Sequence, residues 1–141
     1  MFHARFLLLA AFLLGAPLQA SGDAVTDTIA TLDPAITHVR LLGQWKTEDA
    51  SGRYRAIIRR EPEPGAIRFF VQKIADSGAI VASTELTEVR TDKLALSDYT
   101  VEIDQFGLTL FIETAKDGAP DVTYEVFFNE DGSYTFQPAS N

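Results

Sequence analysis

The chain has 141 residues, carries a formal net charge of -8 and contains no cysteine. A disulfide framework, a thiol nucleophile and a thiolate metal site are therefore excluded. A nucleic-acid partner is disfavoured, because polyanion binding needs a basic face that displaces counterions. The charge is unevenly spread: Arg40 to Lys93 holds ten basic and eight acidic residues, whereas Leu94 to Asn141 sets Lys116 against nine acids.

In chain order, Met1 to Arg5 is a short basic start, followed by an apolar run from Phe6 to Leu14 and then Gly15, Pro17 and Ala20. This pattern over residues 1–20 predicts a secretory signal peptide. The run is about half of what a membrane-spanning helix needs, so no transmembrane anchor is expected after signal removal. Cleavage after Ala20 is the simplest choice, although Leu18 is bulky two residues earlier, and cleavage after Gly22, with Ala20 in that position, is nearly as good; the expected destination is the periplasm or the exterior. The remaining chain, about 120 residues, can bury one core without disulfides.

Residues 21–43 read as an N-terminal helical segment. Asp23 caps a short helix through Leu32, with Val25, Ile29 and Leu32 on one stripe. Asp33-Pro34 opens a second helix, in which Ile36, Val39 and Leu42 recur at helical spacing and Gly43 is the stop.

From Gln44 the period changes to two, with turn clusters about every ten residues. Strands are expected at Gln44 to Thr47, Arg53 to Arg60, Ala66 to Ile74, Ala79 to Val89, Phe106 to Thr114, Asp121 to Asn129 and Ser133 to Gln137. The stretch from Lys93 to Asp104 reads as two strands, Lys93 to Ser97 and Tyr99 to Asp104, or as one bent strand. Pro62 to Gly65, Asp76-Ser77-Gly78, Asp117-Gly118 and Asn129 to Gly132 supply the turns. No helix of crossover length separates two strands, which disfavours a parallel sheet. The fold class predicted for residues 44–141 is all-β: an antiparallel meander of about eight strands closed as a barrel, with a β-sandwich as the alternative.

Alternation puts Tyr54, Ala56, Ile58, Ile67, Phe69, Val71, Val101, Ile103, Phe106, Leu108, Leu110, Ile112, Val122, Tyr124, Val126, Phe128, Tyr134 and Phe136 inside. Outside stand Arg53, Arg55, Arg59, Arg68 and Gln72, then Glu102, Asp104, Glu113 and Glu125. Ile57, Phe70, Phe111 and Phe127 interrupt that polar face.

Gly43-Gln44-Trp45, following a helical segment and opening the meander, resembles the G-x-W start of lipocalins. It also resembles the smaller lipocalin-like barrels of bacterial exported proteins, among them periplasmic inhibitors of secreted metalloproteases. The resemblance implies a barrel with Trp45 packed near one end, and either an apolar small molecule inside or a protein partner at the rim. The chain departs from the family in lacking an arginine on Ser133 to Gln137, a long lid after the first strand, and the inhibitors' disulfide.

Catalytic groups are sparse. His38 is the one histidine beyond the signal segment, and no G-x-S-x-G accompanies it. The outward carboxylates read as a solvated strand face, and Asn129 to Gly132 lacks the ligand spacing of a calcium loop. No cofactor or metal is called for. The candidate partner-binding residues are Arg53, Arg55, Arg59, Arg68, Phe70 and Phe111, with cross-strand pairing to Glu61 and Glu85 as the purely structural reading of the arginines. The predicted function is an exported, non-enzymatic binding or interaction module that takes an apolar small molecule or another envelope or secreted protein. The alternative is an inhibitor or immunity-type protein acting through Ser21 to Thr31.

Overall fold

The computed structural model describes residues 24–116, 119–129 and 131–140. The signal segment, both cleavage positions, the cap at Asp23 and the Asp117-Gly118 turn lie outside the described residues.

The first helix, α1 (Ala24–Ala30), belongs to a unit of its own that ends at Leu32. The hydroxyls of Thr28 and Thr31 donate to the carbonyls of Ala24 and Asp27, one turn earlier. All seven residues are exposed, including Val25 at 70% and Ile29 at 63%.

The second unit begins at Asp33 and is all-β. Its first sheet has the order β1 (Ile36–Lys46), β2 (Ser51–Arg60), β3 (Ile67–Ala75) and β4 (Ile80–Glu85). One helical turn, α2 (Thr87–Thr91), leads to a second sheet of β5 (Leu96–Ile103), β6 (Leu108–Lys116), β7 (Ala119–Phe128) and β8 (Tyr134–Pro138). Every neighbouring pair is antiparallel, and among the described residues no strand pairing joins the two sheets.

The second N-terminal helix does not form; its residues belong to β1. Asp33 and Pro34 make a tight turn, in which Asp33 Oδ1 accepts the Ala35 N–H at 2.9 Å and the Asp33 carbonyl accepts that of Ile36 at 2.9 Å. The strand is bulged against β2, at Ile36/His38 and Leu41/Gly43. The first bulge sets Ile36 and Val39, three residues apart, on one face, whereas Leu42 is buried and Val39 more than half exposed, so the three residues form no single stripe.

One further expected strand is shortened, and one open alternative is resolved. Ala79 to Val89 is not one strand, because the ladder stops where the Leu86 N–H donates to the Phe69 carbonyl. Leu86 and Val89, three residues apart, are then fully buried as the chain coils into α2. The stretch from Lys93 to Asp104 supplies one strand, β5.

The core lies between the sheets, with Phe69, Leu86, Leu108, Leu110, Ile112 and Val126 as its largest sealed side chains. A small open pocket of about 20 Å³ lies at the edge of the core between Tyr54, Val71, Thr84, Phe128 and Asn129. Of the predicted interior, Phe106 is 66% exposed, and Ile103 and Val122 are partly exposed at strand ends. Phe106 sits in a turn in which Asp104 Oδ1 accepts the N–H groups of Phe106 and Gly107.

The sheets meet along two margins. At one, β1 runs beside β5: His38 Nε2 and the Tyr99 hydroxyl are 2.9 Å apart, and a side chain at Gly43 would collide with Ile103. At the other, the Thr84 hydroxyl of β4 donates to the Gly132 carbonyl in the β7–β8 turn. The Thr87 N–H of α2 donates to the Tyr134 hydroxyl, which donates to Glu88 at 2.7 Å.

Candidate functional site

Period-two alternation along β2 and β3 builds the outer face of the first sheet. Arg55 stands opposite Gln72, Ile57 opposite Phe70, and Arg59 opposite Arg68. From β1, Leu41 pairs with Arg55 and Val39 with Ile57. Val39 and Leu41 are each more than half exposed.

The arginines differ in what holds them. Arg59 binds Asp33 through Nε at 2.9 Å and Glu61 through Nη1. Arg68 clamps Glu85 with two bonds, 2.9 and 2.6 Å, and its guanidinium lies 4.8 Å from the centre of the Phe70 ring. Arg90 of α2 reaches the same Glu85 at 3.2 Å. The pairing expected with Glu61 and Glu85 is thus the arrangement these two arginines adopt.

The acids respond to their partners. The hydrogen bond from Arg68, with the nearby charges of Arg68 and Arg90, holds Glu85 below the usual glutamate range against the opposing effect of burial. The Ala35 N–H, followed by Arg59, does the same for Asp33. Arg55 has the neutral Gln72 side chain as its partner. Arg53 is exposed and has no ion-pair partner among the described residues.

The predicted residues do not form a single patch. Arg53, Arg55, Arg59, Arg68 and Phe70 share the outer face of the first sheet. Phe111 lies on the outer face of the second, between Thr100 and Glu125. Grouping Phe70 with Phe111 therefore fails, because alternation shows that both point outward and not which sheet each belongs to. Glu102, Glu113 and Asp104 are exposed, and Glu125 is half-buried and takes a bond from Gln137. Among the described residues no group of three or more His, Asp or Glu side chains could hold a metal ion.

Trp45 lies at one end of the sheets and is 9% exposed. Its Nε1–H donates to the Ile74 carbonyl at 3.2 Å, and Lys73 Nζ stands 4.4 Å from a ring centre. Gly52 lies under the indole: an added Cβ would strike the Ile74 carbonyl and approach the ring to 2.8 Å. Above Trp45 opens a cleft of about 260 Å³ between the ends of β1 and β3 and the β5–β6 turn, with Lys46, Lys73, Gln105 and Phe106 in its walls.

Lys73 was not among the predicted site residues, yet its position was legible. It continues the inward series Phe69, Val71 by two, so a cation occupies a core-facing register position. His38 and Arg40 break the inward side of β1 in the same way, and they meet at Tyr99, with the Arg40 guanidinium 5.3 Å from the ring centre. Burial pushes the Tyr99 hydroxyl upward from its ordinary value.

Comparison of the chain with protein-family models, curated proteins and solved structures finds no match. Among the described residues no helix is long and apolar enough to cross a membrane.

Proposed function

We propose that this chain is an exported, non-enzymatic binding module that docks an acidic protein on the outer face of its first sheet. One observation carries the reading. Leu41, more than half exposed, lies beside Arg55, and Arg53 follows two residues back along the same face of β2. Neither arginine has a carboxylate partner among the described residues, although the chain has a net charge of -8. Uncompensated guanidinium groups beside apolar side chains suit a carboxylate-bearing partner surface. The close packing between the sheets favours surface docking over carriage of an apolar molecule, which needs an internal cavity. The signal-like residues 1–20 motivate export.

The architecture that fits this reading best is the sandwich. One meander rolled into a lipocalin-like barrel would set β4 beside β5 and β8 beside β1. What supports the sandwich is that β1 lies beside β5, and β4 beside the β7–β8 turn.

The test is capture from a native envelope extract by the wild-type chain and by an Arg53→Glu/Arg55→Glu variant. An acidic protein should be retained by the wild type, released by salt and lost from the variant. Equal capture by both, or recovery of an apolar small molecule instead, overturns the proposal.

A second reading, an inhibitor or immunity-type protein, is favoured by α1, whose Val25 and Ile29 are exposed on one stripe. Deleting residues 21–31 should then abolish inhibition of a secreted enzyme while the β-domain stays folded. Unchanged binding after the deletion removes it.

A further inference from the structure

Lys73 occupies an inward register position on β3, opposite Tyr54 on one side and Ala82 on the other. Lys73 is half-buried there, its stem packing inward while its ammonium reaches the cleft. Its described contact is the Trp45 ring, 4.4 Å from Nζ, and a cation–π contact replaces only part of an anion's stabilisation. Lys46, exposed at the end of β1, lines the same cleft, and neither lysine has an ion-pair partner among the described residues.

Asp104 lines the same cleft, so one carboxylate stands against two ammonium groups and the cleft keeps an excess of positive charge. Asp104 Oδ1 accepts the N–H groups of Phe106 and Gly107 at 2.8 and 3.2 Å. That turn sets Phe106 in the cleft wall with two-thirds of its surface exposed. Gly107 has φ 145°, and a Cβ there would come within 2.6 Å of the Phe128 carbonyl, so this position of the turn requires glycine. The cleft thus combines two ammonium groups without an ion-pair partner among the described residues, one carboxylate, an indole hydrogen-bonded to the Ile74 carbonyl, and an exposed phenyl ring.

We infer that this cleft binds a small carboxylate with a flat apolar body, such as an arylacetate. The carboxylate would lie between Lys46 and Lys73 while the ring packs against Phe106 and the edge of Trp45. A volume of about 260 Å³ lies just below the range of drug-sized pockets and suits a ligand with one ring. The site is distinct from the outer-face docking surface and stands or falls independently of it.

Trp45 is the chain's single tryptophan, so its fluorescence reports on this cleft. Phenylacetate titrated into the purified chain, with excitation where the ligand does not absorb, should change the emission saturably. Benzylamine, which has a similar ring and the opposite charge, should bind at least about tenfold more weakly. Lys73→Met should weaken phenylacetate about tenfold or more, one lost charge-assisted contact being worth that factor. Because Lys73→Met also alters the indole's surroundings, Lys46→Met and Phe106→Ala, at exposed positions, provide the second arm and should each weaken binding severalfold with an unchanged melting temperature. Arg60→Ala, at the opposite end of β2, should bind as wild type. A linear response, equal binding of benzylamine, or wild-type affinity in both lysine variants would overturn the inference.

Discussion

The two sheets have four strands each and share one core, yet they handle charge in opposite ways. On the first, Arg59 is neutralised by Asp33 and Glu61, and Arg68 shares Glu85 with Arg90 of α2. On the second, Glu102, Glu113 and Glu125 have no basic partner among the described residues. Unpaired acids on a strand face keep that face solvated and repel other sheets. Pairing on the first sheet has the converse effect: of the four arginines on its outer face, Arg59 and Arg68 are neutralised, and Arg53 and Arg55 have no carboxylate partner among the described residues. The difference separates a face that discourages contact from one equipped to accept it.

The comparison is broken most forcefully through the shared core. Phe69→Ala in the first sheet should cost about 3–5 kcal/mol, and Leu110→Ala in the second about 2–5 kcal/mol, both being sealed from solvent. If the sheets fold as one unit, each change lowers a single denaturation midpoint seen alike by Trp45 fluorescence and far-ultraviolet dichroism. Two separable transitions would mean that the sheets are independent, and the contrast would then be one between domains.

Gly52→Ala comes next, acting on the first sheet alone. The new methyl group would collide with the Ile74 carbonyl, the acceptor of the Trp45 indole N–H. The expected loss is about 1–3 kcal/mol from overpacking, with a shift in Trp45 emission. Wild-type emission at full stability would show that the strand ends relax, and would remove the fixed indole from the cleft argument.

Glu85→Gln tests the paired face directly. Its carboxyl is held low by Arg68 and then Arg90, so its stabilising contribution is fully present above the unfolded glutamate value near 4.5. That contribution falls away as pH drops through the lower folded value. The wild type should therefore lose stability on acidification below about pH 4.5, and the variant should lose less. At neutral pH the variant should be weaker by about 1 kcal/mol, because Arg68 and Arg90 are partly exposed and screened. Glu113→Gln on the second sheet should change neutral stability by less than about 0.5 kcal/mol. Equal acid sensitivity in wild type and Glu85→Gln would contradict the pairing.

Much of this contrast was legible in the sequence, because charge counts and period-two alternation are local properties. Tyr54, Ala56 and Ile58 were placed inward, Arg55 and Arg59 outward, and the partners of Arg59 and Arg68 were among the nearby acids. Less was readable where a non-local feature intervened. The bulge between Ile36 and His38 gives β1 part of a helical spacing, and the burial of Leu86 and Val89 turns the end of an expected strand into α2. Phe70 and Phe111 looked alike because alternation carries no information about which sheet a strand joins. The Lys73 site is hidden for a different reason: Lys73 reads as a cation on the inward side, but the cleft above Trp45 depends on the β5–β6 turn, which lies far downstream of β3 in the chain.

The smallest effect concerns the margin where the contrasting sheets touch. Tyr99 of β5 is 4% exposed, its hydroxyl is 2.9 Å from His38 Nε2 of β1, and its ring lies edge-on to Phe69. Tyr99→Phe keeps the ring contacts and removes the hydroxyl. His38 is exposed and can be rehydrated, so no buried polar group is left without a partner. The cost should therefore be at the low end for a hydrogen bond, about 0.5–1 kcal/mol. His38→Ala should cost about the same, and the double variant little more than either alone, since the two changes remove one shared bond. Additive losses would mean that the residues act separately and that apolar packing alone, chiefly Tyr99 on Phe69, holds this margin together.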